Sequence, residues 1–120
     1  VHRDHCHVLS GNYAVEEMEG IIGLCDLIIG MRLHALIYAV TSKTPAVGIV
    51  YDPKVKAQLD SLAIASDICA EGMDEKKLLN AVVAMYRRKD EERLRLRTRH
   101  VELLEKSRRN VQHVFELLQS

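Results

Sequence analysis

A chain of 120 residues, 48% hydrophobic and 28% charged, has the composition of one folded domain rather than of a disordered segment. Its 17 Lys plus Arg offset 17 Asp plus Glu, so the formal net charge is zero and the basic excess usual in nucleic-acid binders is missing. Three cysteines, Cys6, Cys25 and Cys69, odd in number and far apart, argue against a disulfide framework and for a reducing, cytoplasmic compartment.

The most apolar window, residues 20–40, carries Asp26, Arg32 and His34 and is broken at Gly30. Charges near the middle of a span cost about 2.5–3.5 kcal/mol each on insertion scales, so no transmembrane segment is expected. No signal peptide is visible, and a first residue of Val1 is consistent with a piece of a longer protein.

In chain order, residues 6–9 read as a weak strand, followed by Ser10, Gly11 and Asn12 as a loop and by a helix over 15–24. The run DLII at 26–29 predicts a strong strand, 33–42 a helix, AVGIV at 46–50 a second strong strand, 53–62 a helix and DICA at 67–70 a short strand. The two central strands are apolar on both faces, as parallel strands under helices are. The pattern predicts an α/β fold: an open parallel sheet with helices on both faces, right-handed crossovers, and strands 26–29 and 46–50 adjacent.

After residue 72 the pattern turns helical, so one domain is expected, with βα repeats over 1–72 and C-terminal helices over 73–120. Asp74 is placed to cap a helix over 75–89, and Asp90 to cap another running to about residue 118. In that last helix Leu94, Val101, Leu104, Val111, Phe115 and Leu118 form one apolar stripe, interrupted by Arg97 and Arg108. The stripe is a candidate surface for homo-oligomerisation. Residues 87–109 hold ten Lys or Arg against five Asp or Glu. A solvated face with internal ion pairs is the plain reading of that run, and contact with an acidic membrane surface or polymer the alternative.

Ligands of open parallel sheets bind beyond the carboxyl ends of the strands, and two such junctions are unusual here. Gly30 leaves the first strong strand, and Arg32 and His34 fall in or just before the next helix's first turn, where unpaired N–H groups and the helix dipole favour an anion. After the second, Asp52 suits an N-cap and Pro53 the first helical position, with Lys54 following. Arg32, His34 and Lys54 are therefore placed to converge on a small phosphate- or carboxylate-bearing anion. Singly, each has a structural reading: Arg32 paired with Asp26 or Asp52, His34 as a hydrogen-bonding helix start, Lys54 as a solvated lysine.

The run DLIIGMRLHALIYAV, followed at the right distance by TPAVGIVYDPKV, resembles the C-terminal part of the polysaccharide pyruvyl transferase family over about residues 6–65. The resemblance implies a two-domain, glycosyltransferase-B-like enzyme. Such an enzyme moves the pyruvyl group of phosphoenolpyruvate onto sugar hydroxyls, as a ketal, in bacterial cell-wall polymers and exopolysaccharides. It implies that Arg32, Leu33 and His34 border the phosphoenolpyruvate site, that Lys54 is a further candidate, and that an N-terminal domain missing from this chain contributes acceptor contacts. It also implies a cytoplasmic enzyme, peripheral at most at the inner membrane face; with the acceptor wall missing, the attacking hydroxyl is not positioned and the isolated chain is expected to be inactive.

Ketal formation from an enol phosphate needs a proton on the methylene carbon, attack by a sugar hydroxyl and stabilisation of departing phosphate. His34, the imidazole of the cluster, is the candidate general acid or base, and Arg32 and Lys54 would hold phosphate and carboxylate. No cofactor beyond the donor substrate and no metal is called for. Gly30, Tyr51, Asp52, Ser10 and Asn12 are candidates to line the same cleft.

The run His2, Arg3, Asp4, His5, Cys6, His7 looks like a metal site on paper, but in a strand Cys6 would point away from His5 and His7. A sugar-nucleotide transferase on the same architecture, or a non-catalytic assembly domain using the C-terminal helices, are the competing functions.

Overall fold

The computed structural model describes residues 3–119, with the side chains of residues 4–64 and 68–119. A 3-10 turn at Arg3–His5 leads to helix α1 (Val15–Gly23), strand β1 (Ile28–Gly30), α2 (Leu33–Thr41), β2 (Ala46–Val50), α3 (Pro53–Ser61), β3 (Ala65–Cys69), α4 (Glu75–Arg87) and α5 (Lys89–Gln119). The strands form an open parallel sheet in the order β1-β2-β3. Ile28 pairs with Ala46 and Gly30 with Gly48, so the expected adjacency of the first two strong strands holds.

Both faces of β2 are covered, which explains why its sequence is apolar without alternation. Ala46 and Val50 face a core built with Leu36, Ala39 and Val40 of α2 and Val55 and Leu59 of α3, while Val47 and Ile49 face Met85, Leu78 and Val82 of α4. Buried Thr44 closes the α2–β2 turn, its hydroxyl donating to the Ile22 carbonyl at 3.0 Å.

Helix α5 is held by arginines as well as by Leu96 and Leu103. Arg93 donates to the carbonyl oxygens of Cys25 (2.7 Å) and Lys43 (3.4 Å), Arg95 to that of Ala63 (2.6 Å), and Arg99 to that of Ser61. These are carbonyls at or just past the C-terminal ends of α1, α2 and α3, where cations complement both the orphan acceptors and the helix dipoles. All four contacts lie at the amino end of the sheet, opposite its carboxyl edge.

Three expectations need correction. Residues 6–9 form no strand; they run exposed after the 3-10 turn, with Val8 92% exposed, and do not pair with the free edge of β1. The apolar signal of Val8 and Leu9 is too short to secure a place in the sheet. The strand-based argument about the directions of His5, Cys6 and His7 therefore lapses; His2 lies outside the described residues.

Asp90 does not cap α5: the Arg88 carbonyl already accepts the Glu92 N–H at 2.9 Å, the helix starts at Lys89, and Asp90 sits in its first turn. The Leu94–Leu118 stripe is exposed; Leu96 is the buried residue of α5 and Leu103 a partly buried apolar one. The basic run is not only a solvated face, because Arg93, Arg95 and Arg99 bind backbone carbonyls. Internal pairs also occur, including Arg99–Glu102 at 3.2 Å and Arg109–Glu105 at 3.9 Å.

Candidate functional site

β1 and β2 are hydrogen-bonded neighbours, so the loops leaving their carboxyl ends share one edge of the sheet, with strands about 4.8 Å apart. Gly30, the last residue of β1, is buried, and a Cβ there would lie 2.8 Å from Leu36 Cδ2. Only glycine lets the first turn of α2 come this close to the strand. Met31 follows, and Arg32 occupies the N-cap position of α2 with extended backbone (φ −85°, ψ 133°).

Arg32 and His34 are exposed at this edge and Leu33 is half-buried, packed against the core. No side chain caps α2 and no acidic residue stands in its first turn. The other two helices that begin at this edge differ. Asp52 (φ −150°, ψ 138°) caps α3 by accepting from the Lys54 N–H at 2.7 Å, and Asp74 caps α4 by accepting from Lys76 N–H at 2.9 Å. Both carry their own carboxylate on the N-terminal amides. The N-terminus of α2 is therefore the one of the three whose amides and dipole are left for an external anion, with Arg32 and His34 beside it.

The structural readings of Arg32 fare poorly. Asp26, at the opposite end of β1, pairs with Lys89 at 3.2 Å, and the Asp52 carboxylate is engaged in the α3 cap. Lys54 is exposed in the first turn of α3, on the same edge as Arg32 and His34.

Beside this junction a cleft of about 720 Å³ opens between the carboxyl ends of β2 and β3. Tyr51 and Asp52 line it, together with Lys56, Cys69, Glu71 and Lys77. Gly30, Ser10 and Asn12 are not among its lining residues; Ser10 and Asn12 lie exposed in the loop before α1, where the Ser10 carbonyl accepts from the Tyr13 hydroxyl at 3.3 Å. Lys56, a turn further along α3 than the residues singled out at its start, and Glu71 and Lys77, which follow β3, are candidates beyond the two junctions that stand out in the sequence. The loop after β3 leads to the same edge, and the capping signal of Asp74 was enough to place it there. Among the described residues no group of three His, Cys, Asp or Glu side chains is arranged to hold a metal ion.

Fold and edge together define a parallel α/β domain with a cation-flanked, uncapped helix N-terminus where such domains take ligands. Residues 1–53 match the family model described as polysaccharide pyruvyl transferase, a transferase family. The family resemblance read from the sequence is thus found independently, over the N-terminal part of the chain. The matched segment contains Gly30, Arg32, Leu33, His34 and Asp52 and stops just before Lys54. No curated protein and no solved structure matches the chain. Among the described residues no helix is long and apolar enough to cross a membrane.

Proposed function

We propose that this chain is the donor-binding, C-terminal domain of a polysaccharide pyruvyl transferase, one domain of a glycosyltransferase-B-like enzyme, with phosphoenolpyruvate held at the start of α2. The observation that carries the reading is the uncapped N-terminus of α2, inside the family-matched segment and flanked by Arg32 and His34. Phosphoenolpyruvate carries a phosphate and a carboxylate, the two groups that helix N-termini, guanidinium forks and ammonium groups bind best. Arg32 and the α2 amides bind one of them, and Lys54, from the neighbouring junction, the other.

In the reaction the methylene carbon of the donor gains a proton, one sugar hydroxyl bonds to the adjacent carbon, and a second hydroxyl of the same sugar replaces phosphate there. One hydroxyl proton ends in the new methyl group and the other on the departing phosphate. His34, on the exposed first turn, is the group that moves a proton, as general acid or base. Arg32 and Lys54 stabilise the charge that collects on the leaving phosphate. The cleft beside Tyr51 and Asp52 lies where a donor or the incoming glycan passes. We place the enzyme in the cytoplasm, at most peripheral to the inner membrane face.

This edge supplies one wall of a two-reactant site. Holding two reactants in attack geometry accounts for about 7–11 kcal/mol of a barrier, so without an acceptor-binding domain the isolated chain binds donor weakly and transfers nothing measurable. The test is phosphate release from phosphoenolpyruvate with acceptor glycan, in a protein that joins this chain to an acceptor domain. His34→Ala is expected to abolish turnover and leave the melting temperature unchanged. Near-normal turnover by that variant, or binding of sugar nucleotides but not phosphoenolpyruvate to the chain, refutes the reading.

A further inference from the structure

We propose that α5 pairs with α5 of a second copy of this chain, antiparallel, about a two-fold axis at the level of Lys106. The helix is a single element of 31 residues, without proline or glycine. Its first half lies on the domain through Leu96, Leu103 and the arginine contacts, and from Leu104 to Gln119 every residue is exposed. The stripe lies about 120° around the helix from Leu96 and Leu103. All six of its apolar residues are exposed, from Leu104 at 46% to Leu118 at 78%.

Positions 94, 97, 101, 104, 108, 111, 115 and 118 alternate spacings of three and four, the pattern of a two-helix seam, with Arg97 and Arg108 the polar members. Charge decides who can cover this seam and in which direction. A parallel, in-register copy would set Arg97 against Arg97 and Arg108 against Arg108, two like-charge layers inside one interface. The antiparallel arrangement about Lys106 matches every layer: Leu94 meets Leu118, Val101 meets Val111, Arg97 meets Phe115 and Arg108 meets Leu104.

An arginine over a phenylalanine ring is an attractive pair, and Arg108 can lay its stem on Leu104 while its guanidinium reaches Glu105 of the second copy, one residue further on. Sliding by a heptad one way sets Arg97 against Arg108, and the other way leaves Leu94 and Arg97 without partners. The seam is thus complementary to its own reverse in one register, an isologous contact that closes as a dimer. Each domain body lies against another face of its own helix, at opposite ends of the pair.

Sedimentation equilibrium of the 120-residue chain tests this, with circular dichroism confirming that each variant keeps its helix content. The wild type is expected to dimerise. Val101→Glu puts a carboxylate against Val111 in two layers and should weaken self-association by at least about tenfold. Leu104→Glu puts a carboxylate against Arg108 in two layers and should leave the dimer within a few-fold of wild type. A monomeric wild type, with the stripe then left to another segment or protein, overturns the proposal. So does equal loss in both variants, which removes the register, or equal indifference, which moves the interface elsewhere.

Discussion

The junction between β1 and α2 rests on a contact that a single methyl group should break. A Cβ on Gly30 would stand 2.8 Å from Leu36 Cδ2 and 3.2 Å from its Cγ, whereas carbon atoms pack at about 3.5–4.0 Å. Leu36 is fully buried, so it cannot swing into solvent and must push into the core shared by α2, β2 and α3. Overpacking costs about 1–3 kcal/mol, the upper half of that range where a 2.8 Å approach meets a fully buried side chain, so about 2–3 kcal/mol here; replacing glycine within a strand returns about 0.5–1 kcal/mol, which leaves Gly30→Ala about 1–2.5 kcal/mol less stable. For a domain of this size that is a fall of about 4–10 °C in melting temperature, measured by circular dichroism. Leu36→Ala alone should cost about 2–5 kcal/mol, and in that background Gly30→Ala should become neutral or stabilising, because the group it strikes is gone. A single Gly30→Ala variant as stable as the wild type, or two effects that simply add, would show that the close approach does not constrain the junction.

Other outcomes follow from the same geometry. Arg93→Met should destabilise by about 1.5–3 kcal/mol in urea titration, since the Cys25 and Lys43 carbonyls lose a charged donor. Asp52→Ala should cost about 1 kcal/mol as a lost N-cap while freeing the α3 amides, so phosphate affinity by calorimetry should rise rather than fall. The Lys89 ammonium is held above the ordinary lysine value of 10.5 first by its hydrogen bond to Asp26, then by Tyr86, over whose ring it lies at 4.3 Å. A raised pKa gives stability that is complete below the unfolded value and is lost as pH climbs through the folded one. Lys89→Met should therefore flatten the alkaline limb of the stability profile above about pH 10.

The parallel core was legible because its signals are local and redundant. AVGIV can be buried on both faces only between helices, and Asp52-Pro53 and Asp74 mark helix starts by side-chain chemistry that needs no tertiary context. The strand at residues 6–9 was misread because Val8 and Leu9 offer apolar character without a partner, and strand formation is decided by the neighbour. The role of the basic run was hidden for another reason. Nothing in the spacing of Arg93, Arg95 and Arg99 says that their acceptors are carbonyls 32 to 68 residues away, exposed by the ends of other helices.

That division of labour bears on how the candidate site can be studied. The arginines and Lys89 spend their charge at the amino end of the sheet, tying α5 to the α1–β1, α2–β2 and α3–β3 turns. At the carboxyl edge, Arg32, His34 and Lys54 are exposed, and the acids nearest in sequence, Asp26 and Asp52, are occupied elsewhere. Cations bound to backbone carbonyls cannot be removed without loosening the fold, whereas exposed cations around an uncapped helix start can. Substitutions at the two ends should therefore separate cleanly: those at Arg93, Arg95 or Arg99 lower stability first, and any loss of anion binding follows from unfolding. Substitutions at Arg32 or His34 should lower anion binding at unchanged stability. The two sets of basic residues look alike in composition, and the end of the sheet that each one occupies decides which of these two behaviours it shows.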